Sequence, residues 1–281
     1  MKIIDIDSLF DEYIKEFTYK SIGVLKPEEI ENKIGELYIK FGDETFKELD
    51  GKTPNTFYLD LSEKEVVNAL KEHIERGVSV SDFLCEAIIE KAPEKELISL
   101  LDEDNEELKA YAINMLNDLN SKLALSKYIE LLFGGTESET VKELVAEYLV
   151  NYADDIKEKL LLTYESLEKE EKLYALEILS KASKDDRVFS LLITEFLKGE
   201  NLLLLTAYIE RYGDEKALPY LLEKIEDESI NYQEFSELKM AIELFGGEYE
   251  KERDFSKDKI FKKIKAQAEE ELKQDKQNLK S

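Results

Sequence analysis

Histidine and cysteine carry much of the nucleophilic and acid–base chemistry done near neutral pH. This chain has one of each, His73 and Cys85. They lie twelve residues apart, on what should be the two helices of one hairpin, where a thiolate–imidazolium pair could form. The surroundings argue against that chemistry. Cys85 stands in the run Phe83-Leu84-Cys85-Glu86-Ala87, where a thiol serves as a small hydrophobe. His73 has Lys71 and Arg76 nearby, the pattern of a solvated helix face.

Other chemistry finds less support. A structural zinc site takes about four N or S ligands, and one His plus one Cys cannot supply them. The acid cluster Asp102-Glu103-Asp104-Asn105-Glu106-Glu107 would be a calcium loop only with Gly at 107 and Glu at 113; the chain has Glu107 and Ile113. The cluster reads instead as a turn whose acids complement the next helix N-terminus. Gly134-Gly135 and Gly246-Gly247 follow phenylalanines at helix ends and lack the GxxxxGK context of a phosphate loop. The expectation is a protein with no cofactor, no metal and no catalytic residues.

The elements that would position any site are helices. Only 4 Pro and 11 Gly punctuate 281 residues, too few for the turns of a sheet protein. The net charge is −26, which repels polyanions, so nucleic acid is not an expected partner. A single cysteine suits a reducing compartment. The acidic start MKIIDIDSLFDEY is no secretory signal, and no apolar run approaches a membrane span, so a cytoplasmic location is expected.

The phrase IERYGDE at Ile209–Glu215 returns as IELFGGE from Ile242, 33 residues later. A glycine after an aromatic residue ends a helix in left-handed geometry, and the following acid starts the next one. Ala92, Asn120, Ala153, Ala182, Gly213 and Gly246 mark six such ends, at intervals of 28, 33, 29, 31 and 33. Four residues before each marker stand Ile88, Leu116, Leu149, Ile178, Ile209 and Ile242. Eight before stand Leu84, Ala112, Val145, Tyr174, Leu205 and Leu238. Positions four apart share a helix face, so each unit has an apolar stripe to bury. Lys122–Phe133, Ile156–Leu167, Val188–Leu197 and Glu215–Ile225 supply the other helix of the pair. Hairpins this short hold together by stacking on their neighbours.

Within one unit, Asp214-Glu215-Lys216-Ala217-Leu218-Pro219-Tyr220-Leu221-Leu222 resembles the first-helix signature of HEAT-like (armadillo-type) helical repeats. The spacing, without the proline, extends the resemblance over residues 62–246. It implies an all-α fold, a right-handed αα-superhelix or α-solenoid whose second helices line a concave groove, with non-repeat helical caps. The uneven intervals and the absence of Trp argue against the tetratricopeptide family. Some HEAT-like families act on DNA, but four Arg and no Trp make a poor nucleic-acid groove.

Residues 1–61 read as an N-terminal helical cap, with helices over 5–20 and 27–41 and an extended segment. Residues 247–281 read as a linker and a Lys-rich helix. Residues 256–281 hold eight Lys against five acids, so this tail is +3 and the rest of the chain −29. Phe261, Ile264, Ala268 and Leu272 form its stripe, which either caps the last repeat or serves as a detachable binding helix.

Groove-facing residues should lie two, six and ten before the markers. Asn114, Asp118, Glu143, Glu147 and Asn151 make the middle of the groove acidic and polar; Arg211, Ala207 and Leu203 make its later part more apolar. Tyr148 and Tyr208 stand beside this line as candidate anchors. The function expected is a non-enzymatic scaffold or adaptor that binds a protein partner, possibly basic, in the groove. The alternatives are an acidic inhibitor of immunity type that mimics nucleic acid, and an enzyme with an acidic or tyrosine-lined site. The sequence leaves the oligomeric state open.

Overall fold

Helix starts in this chain are written as caps. Ser62 and Glu65 form a reciprocal capping box, Glu65 accepting from the Ser62 N–H at 2.8 Å. Asn231 and Glu234 repeat the device, and Asn105 accepts from the Leu108 N–H at 3.0 Å. A computed structural model describes residues 3–278, and the side chains of all of these except 270–273 and 275–278. Among the described residues there is no strand; the fold is all-helical. The chain divides into two compact units, Met1–Val145 and Ala146–Ser281.

The first unit opens with α1 (Ile6–Ser21), α2 (Pro27–Glu31) and α3 (Ile34–Asp43). Pro27 takes the first helical position expected of it. The helix expected over 27–41 is broken at Asn32-Lys33 into α2 and α3. Asp50 and Gly51 make a left-handed turn before α4 (Pro54–Phe57). Then come α5 (Glu63–Glu75), α6 (Asp82–Lys91), α7 (Glu94–Leu100), α8 (Glu106–Asp118) and α9 (Leu125–Phe133), followed by α10 (Glu139–Leu149), within which the first unit ends. Helices α5 and α6 pack as a pair, as do α7 and α8. Across the pairs, α5 meets α7 and α6 meets α8.

The second unit contains α11 (Ala153–Thr163), α12 (Lys169–Leu179), α13 (Asp186–Lys198), α14 (Leu202–Tyr212), α15 (Leu218–Lys224), α16 (Tyr232–Leu244) and α17 (Lys259–Asn278). Pairs form again between α11 and α12, α13 and α14, α15 and α16. Across pairs, α13 meets α15 and α14 meets α16. Like helices stack on like between α5/α6 and α7/α8 and between α13/α14 and α15/α16, whereas α11/α12 meets the next pair through α12 and α13.

Eleven of the twelve stripe residues are buried; Tyr174 is half-buried. Fully burying a Leu or Ile contributes about 1.5–3 kcal/mol, which makes the stripe the main cohesive element of each pair. Polar contacts repeat the same interval. Arg187 Nη2 meets Glu158 at 2.6 Å, 29 residues away. Lys216 meets Asp186 at 2.7 Å, 30 away, and Lys109 meets Glu137 at 2.6 Å, 28 away. The Arg253 guanidinium donates to the Ile225 and Asp227 carbonyls, both at 2.7 Å.

Two of the six helix-end markers need correction. Ala92, Asn120, Gly213 and Gly246 have positive φ (48°, 52°, 66° and 76°). Ala153 has φ −50° and begins α11, because α10 runs through a 3-10 turn at Val150–Tyr152 straight into the next helix. Ala182 lies beyond the end of α12 and does not share the left-handed geometry. The Asp154 carboxylate holds the chain there by accepting from the Ser183 N–H at 2.9 Å.

Candidate functional site

His73 is 1% exposed, so the solvated face expected for it is wrong. Lys71 and Arg76 turn to acids, Lys71 to Glu103 at 2.6 Å and Arg76 to Glu72 at 3.0 Å, while the imidazole enters the core. Its Nδ1 lies 2.7 Å from the Ala69 carbonyl, and its Nε2 lies 3.2 Å from the Ile4 carbonyl and 3.3 Å from the Tyr58 hydroxyl. The ring ties the N-terminal segment to α5. Cys85 is half-buried, and burial, then Asp82, Asp7 and Asp118, push its thiol up to about 11. A thiol held protonated at neutral pH is a poor nucleophile, and no hydrogen bond joins it to His73 among the described residues.

The acid cluster forms a turn. Asp102 pairs with Lys127 at 2.6 Å and Glu103 with Lys71 at 2.6 Å, while Glu106 and Glu107 fill the first turn of α8.

The groove residues expected from sequence divide between the units. Asn114, Asp118 and Glu143 are exposed in the first; Glu147, Asn151 and Arg211 are exposed in the second. Tyr148 and Tyr208 are 4% and 3% exposed and belong to the core, so neither is presented as an anchor. The Tyr148 ring lies 5.0 Å from that of Tyr152. Burial, then Glu177, push the Tyr208 hydroxyl pKa up. Arg211 lies 5.5 Å over the Tyr208 ring and 3.8 Å from Glu177, so its charge is turned toward α12.

Arg211 and Tyr208 lie on α14, which meets α16 across the pairs, and these two neighbouring helices carry exposed apolar side chains. Leu204, Met240 and Leu244 are 40%, 51% and 65% exposed, and Ala207 is exposed beside them. The same two helices carry Glu210 and Glu237, both half-buried and close enough for their charges to interact. Burial, then the charge of Glu237, raise the pKa of the Glu210 carboxyl. Neither glutamate forms an ion pair among the described residues. A cleft of about 420 Å³ is lined by Glu210, Gly213, Glu215, Leu244, Phe245 and Gly246.

Two other clefts contain ion pairs. A cleft of about 440 Å³ at the start of α12 has Lys169 paired with Glu200 and Lys198 with Glu195. One between α5 and α7, about 370 Å³, has Lys71 paired with Glu103. The α14/α16 pair of helices differs in joining exposed apolar side chains to carboxylates that form no ion pair among the described residues. Sequence reasoning placed Leu203, Ala207 and Arg211 here and missed the rest, although the same count from Gly246 lands on Leu244 and Met240.

Helix α17 touches α16 through its first turn. The Phe261 ring packs edge-on against Tyr232 at 4.8 Å, and the Asp258 carboxylate accepts from the Phe261 N–H at 2.9 Å. Beyond it, Ile264 is 39% exposed and Ala268 is exposed. The side chain of Leu272, the last residue of the expected stripe, lies outside the described residues. Among the described residues no helix is long and apolar enough to cross a membrane. No family model matches the chain, and no curated protein matches it.

Proposed function

We propose that the stacked hairpins are HEAT-like repeats of a right-handed α-solenoid, and that the protein is a non-enzymatic scaffold or adaptor. The face of α14 and α16 lies on the concave side of the repeats and takes an apolar segment of a basic protein partner. The observation that carries this is the combination on neighbouring helices of Leu204, Met240 and Leu244, open to solvent, with Glu210 and Glu237, which form no ion pair among the described residues. A partner that buries the leucines and methionine gains the hydrophobic term, and a Lys or Arg placed at the carboxylates removes a like-charge repulsion. The overall charge of −26 steers a basic partner inward.

The test is affinity capture from the cell that makes the protein, with wild-type and Met240→Glu/Leu244→Glu baits side by side. The proposal expects a basic protein near one-to-one stoichiometry that is retained by wild-type and lost from the double variant. Equal retention by both baits would contradict it.

A further inference from the structure

The occupant that this face calls for is present in the chain itself. Residues 259–268, KIFKKIKAQA, carry four lysines and no acid in a protein whose remainder is strongly acidic. They are helical, and Phe261, Ile264 and Ala268 share one side of α17 at spacings of three and four. Among the described residues that side is left open after the first turn. Phe261 is held against Tyr232, but Ile264, Ala268 and Lys262, Lys263 and Lys265 are exposed. A helix of 20 residues is about 30 Å long, and from Lys262 to Glu269 every side chain is exposed, so this stretch gains little from its own chain.

We infer that α17 of one copy docks on the α14/α16 face of a second copy, Ile264 against Met240 and Leu244, with the lysines beside Glu210 and Glu237. This rests on the reading of that face as a binding surface for a basic apolar segment, and names the segment. Every copy carries both halves, so two copies can make the contact reciprocally about a two-fold axis. One two-fold arrangement therefore covers two faces and two helices at once, as isologous dimers require. A partner protein then competes with α17 for the same surface, so self-association and partner binding exclude each other.

Charge exchange on the full chain tests this by sedimentation. Wild-type protein should rise from the 32.6 kDa of one chain toward twice that mass as concentration increases from micromolar toward millimolar. Lys262→Glu/Lys263→Glu/Lys265→Glu and Glu210→Lys/Glu237→Lys should each stay near one chain mass alone. Mixed in equal amounts they should recover the doubled mass, because both contacts of the mixed pair are again of opposite charge. Circular dichroism and melting of each variant show whether the fold is kept.

Wild-type protein that stays at one chain mass throughout would overturn the inference. So would variants that dimerise like wild-type, or a mixture that fails to recover. If wild-type stays monomeric while the lysine variant captures more partner, α17 covers the face of its own chain, and exchange between copies is wrong. If wild-type stays monomeric and Met240→Glu/Leu244→Glu still loses the partner, only the identity of α17 as occupant fails and the binding face stands.

Discussion

The Tyr212 hydroxyl is bonded twice to the backbone of Asp185, 27 residues earlier, accepting from its N–H at 2.6 Å and donating to its carbonyl at 3.0 Å. Asp185 is the N-cap of α13 and Tyr212 the last residue of α14, so one phenol pins the start of a hairpin to its end. Tyr212→Phe keeps the packing of the ring and removes both bonds. The expected cost is about 1–2 kcal/mol, seen as a lower urea midpoint at unchanged slope.

Helix ends offer a test with opposite signs. Gly213 has φ +66°, where an added Cβ is strained, so Gly213→Ala should destabilise by about 1 kcal/mol. Ala92 already carries a Cβ at φ +48°. Ala92→Gly should relieve that strain and stabilise by up to about 1 kcal/mol, partly offset by the freedom of glycine in the unfolded chain. Thermal melts of the two variants read the signs directly.

The imidazole of His73 holds together elements far apart in sequence. His73→Leu preserves bulk but leaves the Ile4 carbonyl and the Tyr58 hydroxyl without the ring they meet. A loss of about 1–3 kcal/mol is expected, with faster amide exchange around Ile4 and α5. Unchanged exchange there would show that the ring ties nothing down.

Glu210 gives a pH signature. Its carboxyl pKa is raised in the folded state, by burial first and Glu237 second. Protonation therefore favours folding: the penalty is absent at low pH, where the carboxyl is neutral folded or unfolded, and complete once pH exceeds the folded value. Glu210→Gln should be more stable than wild-type at pH 7, by less than about 1 kcal/mol because the group is partly solvated. The difference should vanish below the ordinary carboxylate range. A difference that persists in acid would point to a cause other than charge.

Much of this architecture was legible because helix ends and apolar stripes are local properties. Gly213 and Gly246 announced their left-handed geometry, and the positions four and eight before them announced the core. Ala153 and Ala182 misled because alanine permits several helix exits, and the exits used there depend on a 3-10 turn and on Asp154 reaching Ser183. His73 was misread because its flanking charges lie on the solvent side of the same helix; a partner 69 residues away, Ile4, decides its burial. The α14/α16 face was half visible. Its apolar members fall at countable positions, but the opposition of Glu210 and Glu237, 27 residues apart in sequence, exists only once α14 and α16 pack together.

Hydrogen exchange on the full chain, alone and saturated with the captured basic partner, tests the binding face most directly. The account predicts slowed exchange confined to Leu202–Tyr212 and Tyr232–Leu244, and lost in Met240→Glu/Leu244→Glu. Protection centred on other helices, or equal protection in the variant, would contradict it.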